Sequence, residues 1–136
     1  MHLIVCLDDA DGMLFNKRRQ SSDKLLCSRI LEKTAGSRLW MNEYSAKLFS
    51  GKTAPNICVD AAFLDKCEAG EWCFAETGEL LAYTGKLESI TVYRWNRRYP
   101  ADVKFPARLL AGRAPTRKED FPGNSHDTIT EEVYIL

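Results

Sequence analysis

Residues 1–23 read MHLIVCLDDADGMLFNKRRQSSD, and this stretch decides the fold. It begins with a nearly continuous apolar run, Leu3–Leu7, which is typical of a strand buried on both faces of a sheet. A turn-forming segment, Asp8–Gly12, follows, and the stretch ends at Asp23, where a helical pattern begins. A buried strand that leads through a loop into a helix predicts the start of an α/β fold.

Strands and helices alternate through the first two-thirds of the chain, which favours a largely parallel central sheet with flanking helices. The last two strands have no helix between them and therefore predict an antiparallel edge hairpin. Within residues 107–125, only 108–111 has a pattern that could pair. The predicted strands are 3–7, 38–41, 56–59, 72–75, 89–95, 103–106 and 131–136, and the predicted helices are 23–33, 44–49, 61–68 and 79–83.

The composition is that of one globular domain spanning residues 1–136. Lys+Arg and Asp+Glu both number 19, so the chain has no global basic field of the kind that attracts nucleic acid. The N-terminal apolar run is too short for a signal peptide, and no apolar stretch approaches the ~20 residues of a membrane span. We therefore expect a cytoplasmic protein with neither a membrane nor a nucleic-acid partner.

The cysteine and histidine content argues against a disulfide framework and against a metal site. Five cysteines, an odd number with no Cys-x-x-Cys pair, favour a reducing compartment. The two histidines, His2 and His126, lack the spacing of zinc ligands. The carboxylates in residues 8–11 and 131–132 lie in a turn or at a strand end, where we expect them to be solvated.

Several stretches, in their order and spacing, resemble dihydrofolate reductase along nearly the whole chain. The resemblance implies a single-domain α/β fold with a mostly parallel central sheet, flanking helices and a C-terminal antiparallel hairpin. The stretches are LIVCLDDADGMLFN (3–16), SSD (21–23) before an apolar helix, RLWMNEYSAKLFSGKTAPNICV (38–59), LESITVYRWNRRYPADVKFP (87–106) and NSHDTITEEVYIL (124–136).

The resemblance also implies a pocket for a small heteroaromatic, pterin-like ligand, with Asp23 as the candidate catalytic carboxylate. Burial would raise the pKa of Asp23 and suit it to proton transfer. The local sequence alone favours Asp23 as a residue of the first helical turn, and both interpretations stay open. Cys6 and Cys27 would line the pocket, although a core role is the simpler interpretation. The residues expected at the ligand are Ile4, Val5, Cys6, Asn16, Cys27, Phe74 and Tyr93.

The residues that hold NADPH in this family are mostly missing. The family's Gly-Arg-x-Thr motif falls here on Asn42 and Glu43, with Ser45 in the Thr place, and its Gly-Gly pair falls on Ala75 and Glu76. The first loop lacks the Pro-Trp pair that closes over the nicotinamide. At ~4 Å and an effective dielectric of ~20, a carboxylate that faces a phosphate is repelled by roughly 4 kcal/mol. The sequence therefore predicts a lost NADPH site and no cofactor.

Three functions remain open, and the sequence does not decide whether the chain is an enzyme. The first is a module that binds a small molecule. The family's folate-tail arginine has no clear equivalent in this chain: Ala54 falls nearest to its place, and Lys52 is the candidate substitute. The second is a divergent NADPH-dependent oxidoreductase that holds phosphates through Ser45 and through Lys17, Arg18 and Arg19 of a basic loop. The third is a protein that binds a partner, or itself as a homodimer, through a 93–99 edge strand.

Overall fold

A seven-stranded sheet and a separate three-stranded sheet organise the structure, a computed structural model that describes residues 1–77 and 79–136. The strands of the described residues are β1 (His2–Leu7), β2 (Gly12–Phe15), β3 (Arg18–Arg19), β4 (Leu39–Met41), β5 (Ile57–Val59), β6 (Trp72–Phe74), β7 (Ser89–Arg94), β8 (Val103–Lys104), β9 (Arg117–Phe121) and β10 (Ile129–Ile135). The α-helices are α1 (Lys24–Lys33), α2 (Glu43–Ala46) and α3 (Phe63–Lys66), and 3-10 helices span Lys47–Phe49, Leu81–Lys86 and Ala107–Leu109.

The large sheet has the strand order β5-β4-β6-β1-β7-β10-β9. Its first five strands run parallel, whereas β10 runs antiparallel to both β7 and β9. This arrangement confirms the predicted α/β class, with a mostly parallel sheet and antiparallel strands at the C-terminal end. The small sheet has the order β3-β2-β8.

Strand β1 lies in the middle of the large sheet and is buried on both faces. Leu3, Val5 and Leu7 pack into an apolar core on one face, and Ile4 packs into a second core on the other. All four side chains are fully buried, which explains why the sequence shows a continuous apolar run rather than an alternation. Because successive residues of a strand point to opposite faces, only one of the two cores can adjoin a given site.

Helix α1 begins after Asp23 and packs the side chains Leu26, Cys27 and Ile30 against the second core. Its predicted span was correct, but Asp23 is the residue that caps the helix rather than a member of its first turn. With ten residues, α1 is the longest helix of the described chain, and none of the described helices has the length and apolarity needed to cross a bilayer.

Three local predictions were wrong. Residues 108–111 do not form a strand; a 3-10 helix covers Ala107–Leu109, and the pairing strand is the charged β9. Its residues are almost all charged, so β9 has no hydrophobic alternation that would reveal an edge strand. The predicted helix at 79–83 is a 3-10 helix at Leu81–Lys86, and the predicted helix at 61–68 is shortened to α3.

The β2–β3 hairpin was not predicted. Its turn is formed by Asn16 and Lys17, whose φ angles of 54° and 63° lie in the left-handed region. A two-residue hairpin turn needs positive φ at both positions, and asparagine tolerates this conformation better than most residues. Because neither residue is glycine, the usual sequence signal for this turn is absent.

The predicted partner-binding edge at 93–99 is not an edge. Strand β7 lies between β1 and β10, and the side chains of Tyr93 and Trp95 are buried in the second core. The alternation of aromatic and basic residues here reflects the two faces of an interior strand. Strand β7 therefore has no free edge with which a partner strand could pair, whereas residues 96–98, which follow it, are exposed.

Replacing Trp95 with alanine is expected to lower the free energy of unfolding by about 3–5 kcal/mol, because a buried indole is removed from a packed core. Trp95 is 5% exposed, and its ring stacks on His126 with centroids 4.6 Å apart. Urea unfolding followed by circular dichroism measures the change. The matched control is Arg97→Ala at an exposed position of the same segment, where a change within about 0.5 kcal/mol is expected. Equal midpoints for both variants would contradict the interior position of this strand.

Candidate functional site

A small cavity lies between the carboxyl ends of β1, β6 and β7 and the first turns of α1. Cys6, Cys27 and Phe74, three of the residues named as ligand-binding from the sequence, contribute to its wall. Its free volume is about 20 Å³, which is space for about one water molecule. The cavity is therefore nearly closed by the protein's own side chains.

The four other residues predicted at the ligand do not line the cavity. Ile4 and Tyr93 belong to the core next to the cavity. Val5 faces the opposite core, so its assignment to the pocket was wrong. Asn16 is exposed in the turn of the β2–β3 hairpin and does not line the cavity, so this assignment was wrong as well.

The side chain of Asp23 is fully buried at the start of α1, and its Oδ1 atom accepts three backbone hydrogen bonds. The amides of Leu25 and Leu26 donate to it at 2.9 and 3.1 Å, which is the standard capping geometry. The amide of Asn124 donates from a distant loop at 3.0 Å. The carboxylate therefore joins the helix to residues about one hundred positions further along the chain.

The second oxygen, Oδ2, accepts from the Ser125 amide at 2.8 Å, from the Ser125 hydroxyl at 3.2 Å and from His126 Nδ1 at 3.1 Å. Burial by itself raises the pKa of Asp23, but the hydrogen bonds from Asn124, Ser125 and His126 outweigh it and hold the pKa well below its usual range. The prediction that the pKa of Asp23 is raised was wrong, because it considered the effect of burial but not the hydrogen bonds that the carboxylate accepts.

Gly123 allows the distant loop to approach Asp23 this closely. A Cβ at this position would lie 2.6 Å from Oδ2 of Asp23 and 2.9 Å from the carbonyl oxygen of His126. Both distances are below any normal van der Waals contact, so a larger residue would push the loop away. The Pro122-Gly123 pair marks a turn in the sequence, but it does not reveal what the turn contacts.

From the sequence, His126 was considered only as a metal ligand, and its contact with Asp23 was not predicted. Its Nδ1 faces Asp23, and because a carboxylate only accepts, the proton lies on Nδ1. Its Nε2 lies 2.9 Å from the Ser21 hydroxyl and 3.4 Å from the Tyr99 hydroxyl, and in the neutral imidazole this nitrogen is the acceptor. Trp95 stacks on the ring at an interplanar angle of 27° and fixes its plane.

Glu76 lies two residues after the end of β6, at the place where the resemblance puts the family's glycine pair. Arg19 binds its carboxylate in a bidentate pair, with Nε at 2.8 Å and Nη2 at 3.0 Å. The hydroxyl of Ser45 donates to Glu76 Oε1 at 2.7 Å. The guanidinium of Arg19 also lies 4.3 Å from the ring centroid of Tyr44. Glu76, Arg19 and Ser45 therefore bond to one another, and the charge of Glu76 is paired with that of Arg19.

The predicted phosphate-binding residues do not come together. Lys17 is exposed in the hairpin turn, and Arg18 is exposed on β3. Ser45 is buried and its hydroxyl already bonds to Glu76. Side chains alternate along a strand, so Arg19 faces Glu76 while its neighbour Arg18 faces solvent.

A larger, open cleft lies outside the cavity, between the start of α1, residues 48–52 and residues 124–125. Its free volume is about 620 Å³. Two cationic side chains, Lys24 and Lys52, line it together with three serine hydroxyls and an asparagine. Asp23 is also part of its wall, but the charge of this residue is already satisfied by protein donors.

Two carboxylates that were expected to be solvated are buried. Asp8 accepts from the amides of Ala10 and Gly12 at 2.8 and 2.7 Å. Glu131 pairs with Arg29 and with Lys33, at 2.7 and 3.0 Å. In both cases burial raises the pKa of the carboxyl group, yet these donors hold it below the usual value. Both groups are structural and lie outside the cavity.

Replacing Asp23 with asparagine is expected to lower the free energy of unfolding at pH 7 by about 2 kcal/mol or more, because a buried acceptor of several backbone amides loses its charge. The folded-state pKa of Asp23 lies below its unfolded value of about 3.9, so its stabilisation is present above that value and is lost as the pH falls. The gap between wild type and Asp23→Asn should therefore shrink from pH 7 to pH 3.

Urea unfolding at pH 7, 5 and 3 measures this gap. Asp127→Asn is the control, since Asp127 is an exposed acid in the same loop region. A gap that stays constant with pH would contradict the lowered pKa of Asp23.

The chain was compared with known proteins by sequence and by structure. No family model matches it, and no curated protein sequence matches it significantly. Among solved structures, it is similar to dihydrofolate reductase from Enterococcus faecalis complexed with NADP(H) and RAB-propyl. The TM-score is 0.69 at 11% sequence identity, and the match covers 98% of this chain and 94% of that one. The chain therefore has a dihydrofolate-reductase-like fold.

Proposed function

We propose that this chain is a small-molecule-binding module on a dihydrofolate-reductase-like fold that does not use NADPH. The observation that carries the proposal is the closed group of Glu76, Arg19 and Ser45 at the end of β6. At residues 75–76 the resemblance implies a pair of glycines whose backbone would lie close to the pyrophosphate of NADPH. A paired carboxylate takes its place in this chain.

The electrostatics of this group argue against a phosphate ligand. The Glu76 side chain is 11% exposed, so breaking its pair with Arg19 would leave a largely desolvated charge without its partner. An incoming phosphate would then have to displace Glu76 from Arg19 or bind next to it. Either arrangement places two anions close together, at a cost of roughly 4 kcal/mol when they are ~4 Å apart.

The open cleft is the better place for a ligand, since the inner cavity has space for only about one water molecule. Its volume of about 620 Å³ lies in the range of ordinary small-molecule sites. Cys27 and Leu48 supply an apolar part, and Lys24 and Lys52 supply positive charge. We infer a ligand with a flat apolar or aromatic part and an anionic end.

Asp23 is not the group that recognises this ligand. Its two oxygens already accept six hydrogen bonds from the protein, which exceeds the roughly four lone-pair positions of a carboxylate. A ring that donates hydrogen bonds to Asp23 would have to displace the 124–126 loop. Recognition through the charged and hydroxyl groups of the cleft needs no such rearrangement.

Thermal unfolding with added ligands tests the proposal. A ligand at 100 times its Kd adds about 2.7 kcal/mol to the free energy of unfolding, which shifts the midpoint visibly. We expect dihydrofolate, which has an aromatic part and a carboxylate end, to raise the midpoint. NADPH and NADH at 1 mM should leave it unchanged, and so should an uncharged diaminopyrimidine. A clear shift with NADPH would refute the loss of the dinucleotide site.

Charge reversal at Lys52 is expected to abolish the shift caused by dihydrofolate. The Lys52 ammonium lies in the cleft, 2.9 Å from the hydroxyl of Ser28, and its reversal to glutamate would repel an anionic ligand. Lys47→Glu is the matched control, because Lys47 is exposed on the neighbouring 3-10 helix and does not line the cleft. Equal ligand shifts in both variants would place the binding site elsewhere.

A further inference from the structure

Ser21, His126 and Asp23 form a linear hydrogen-bonded series at the mouth of the cavity. The Ser21 hydroxyl lies 2.9 Å from His126 Nε2, and His126 Nδ1 lies 3.1 Å from Asp23 Oδ2. A hydroxyl, an imidazole and a carboxylate in this order match the arrangement that activates serine nucleophiles in unrelated folds. The order of the three residues in the chain is irrelevant, because such sites are defined by geometry.

The three groups lie where this chemistry requires them. The lowered pKa of Asp23 keeps it ionised, so it holds the imidazole proton on Nδ1. In the neutral imidazole, Nε2 is then the acceptor, and it faces the Ser21 hydroxyl at 2.9 Å. Trp95 stacks on the imidazole and restricts its rotation. Ser21 is half-buried, whereas His126 is 7% exposed, so the imidazole is more sheltered from solvent than the serine residue.

We propose that Ser21 is a catalytic nucleophile that cleaves small carboxylic esters, with His126 as general base and Asp23 as the residue that positions His126. The proposal does not depend on the ligand proposed for the cleft. It rests on the distances between these three side chains and on their position at the cavity.

The reaction uses only an ester and water. The Ser21 oxygen bonds to the carbonyl carbon while its proton moves to His126 Nε2. The carbon–oxygen bond to the alcohol then breaks, and the alcohol leaves with that proton. Water attacks the acyl-serine and gives a proton to Nε2, the carboxylic acid leaves, and the proton returns to Ser21.

The surroundings of Ser21 limit the substrate to a short acyl group. Ser21 lines the inner cavity, whose free volume of about 20 Å³ accommodates a group of about the size of a methyl. The amide of Ser22, the next residue, donates no hydrogen bond to any described residue, so it is available to the developing oxyanion. We therefore expect acetyl esters to react and long-chain esters not to.

Labelling of the intact protein with a fluorophosphonate probe, followed by peptide mass spectrometry, tests the nucleophile. We expect the folded wild type to be labelled at Ser21, and Ser21→Ala to lose this label. His126→Gln should slow labelling by at least about 100-fold, the lower range for a general base. Ser37→Ala is the control, since Ser37 is also half-buried but follows the other end of α1. p-Nitrophenyl acetate should be hydrolysed in a Ser21-dependent manner, and p-nitrophenyl octanoate should not.

A second variant keeps the test decisive if His126→Gln fails to fold. In Ser21→Cys, the base should activate the introduced thiol, so that iodoacetamide modifies it at least about ten times faster than the native Cys58. The native thiol is half-buried and has no imidazole among its hydrogen-bond partners. A folded wild type that resists the fluorophosphonate, or an introduced thiol no faster than Cys58, would overturn the proposal.

Discussion

The carboxylate of Asp23 determines how the functional end of this molecule is assembled. A buried charge is expensive unless donors surround it. Here the donors come from the first turn of α1 and from a loop that lies 101–103 residues after Asp23 in the chain. The same hydrogen bonds fix the start of α1, the course of the 123–126 loop and the orientation of His126. The cavity is closed and the cleft is shaped as a consequence of these contacts.

Glu76 imposes a comparable constraint at the end of β6. Its hydrogen bonds to Arg19 and Ser45 connect the hairpin, the sheet and α2. In both places, polar groups that could face a ligand in a fold of this type are bonded to one another. The shared architecture is therefore compatible with a different chemistry, because the fold is maintained by the apolar cores and the function by a few polar groups.

Much of the fold could be predicted because its signals are local. The apolar run of β1, the spacing of α1 and the capping role of Asn42 each depend on residues close together in the sequence. The charged strand β9 could not be predicted, since its residues are ordered by pairing with β10 rather than by burial. The hairpin turn at Asn16 lacks the glycine that usually marks it.

The site was harder to predict than the fold, because its contacts are long-range. Ser21, Ser22 and Asp23 are all good capping residues, and only the backbone conformation of Asp23 shows which one starts the helix. No periodic pattern links His126 to Asp23 across about one hundred residues. The alternation of side chains along β1 separated Cys6 from Val5, but the resemblance alone did not show which face adjoins the cavity.

The groups that donate hydrogen bonds to Asp23 also limit which groups this carboxylate can act on. The resemblance implied that Asp23 would bond to the N–H groups of a ligand ring, whereas in the structure the amides of Asn124 and Ser125 donate to it. A ring would have to replace both bonds, each worth about 1.5–3 kcal/mol to a charged acceptor, and leave two amides unpaired. The carboxylate therefore acts through His126, whose Nε2 lies next to the accessible Ser21 hydroxyl. In the proposed reaction, the buried Asp23 only positions His126, and the bond to the substrate forms at Ser21.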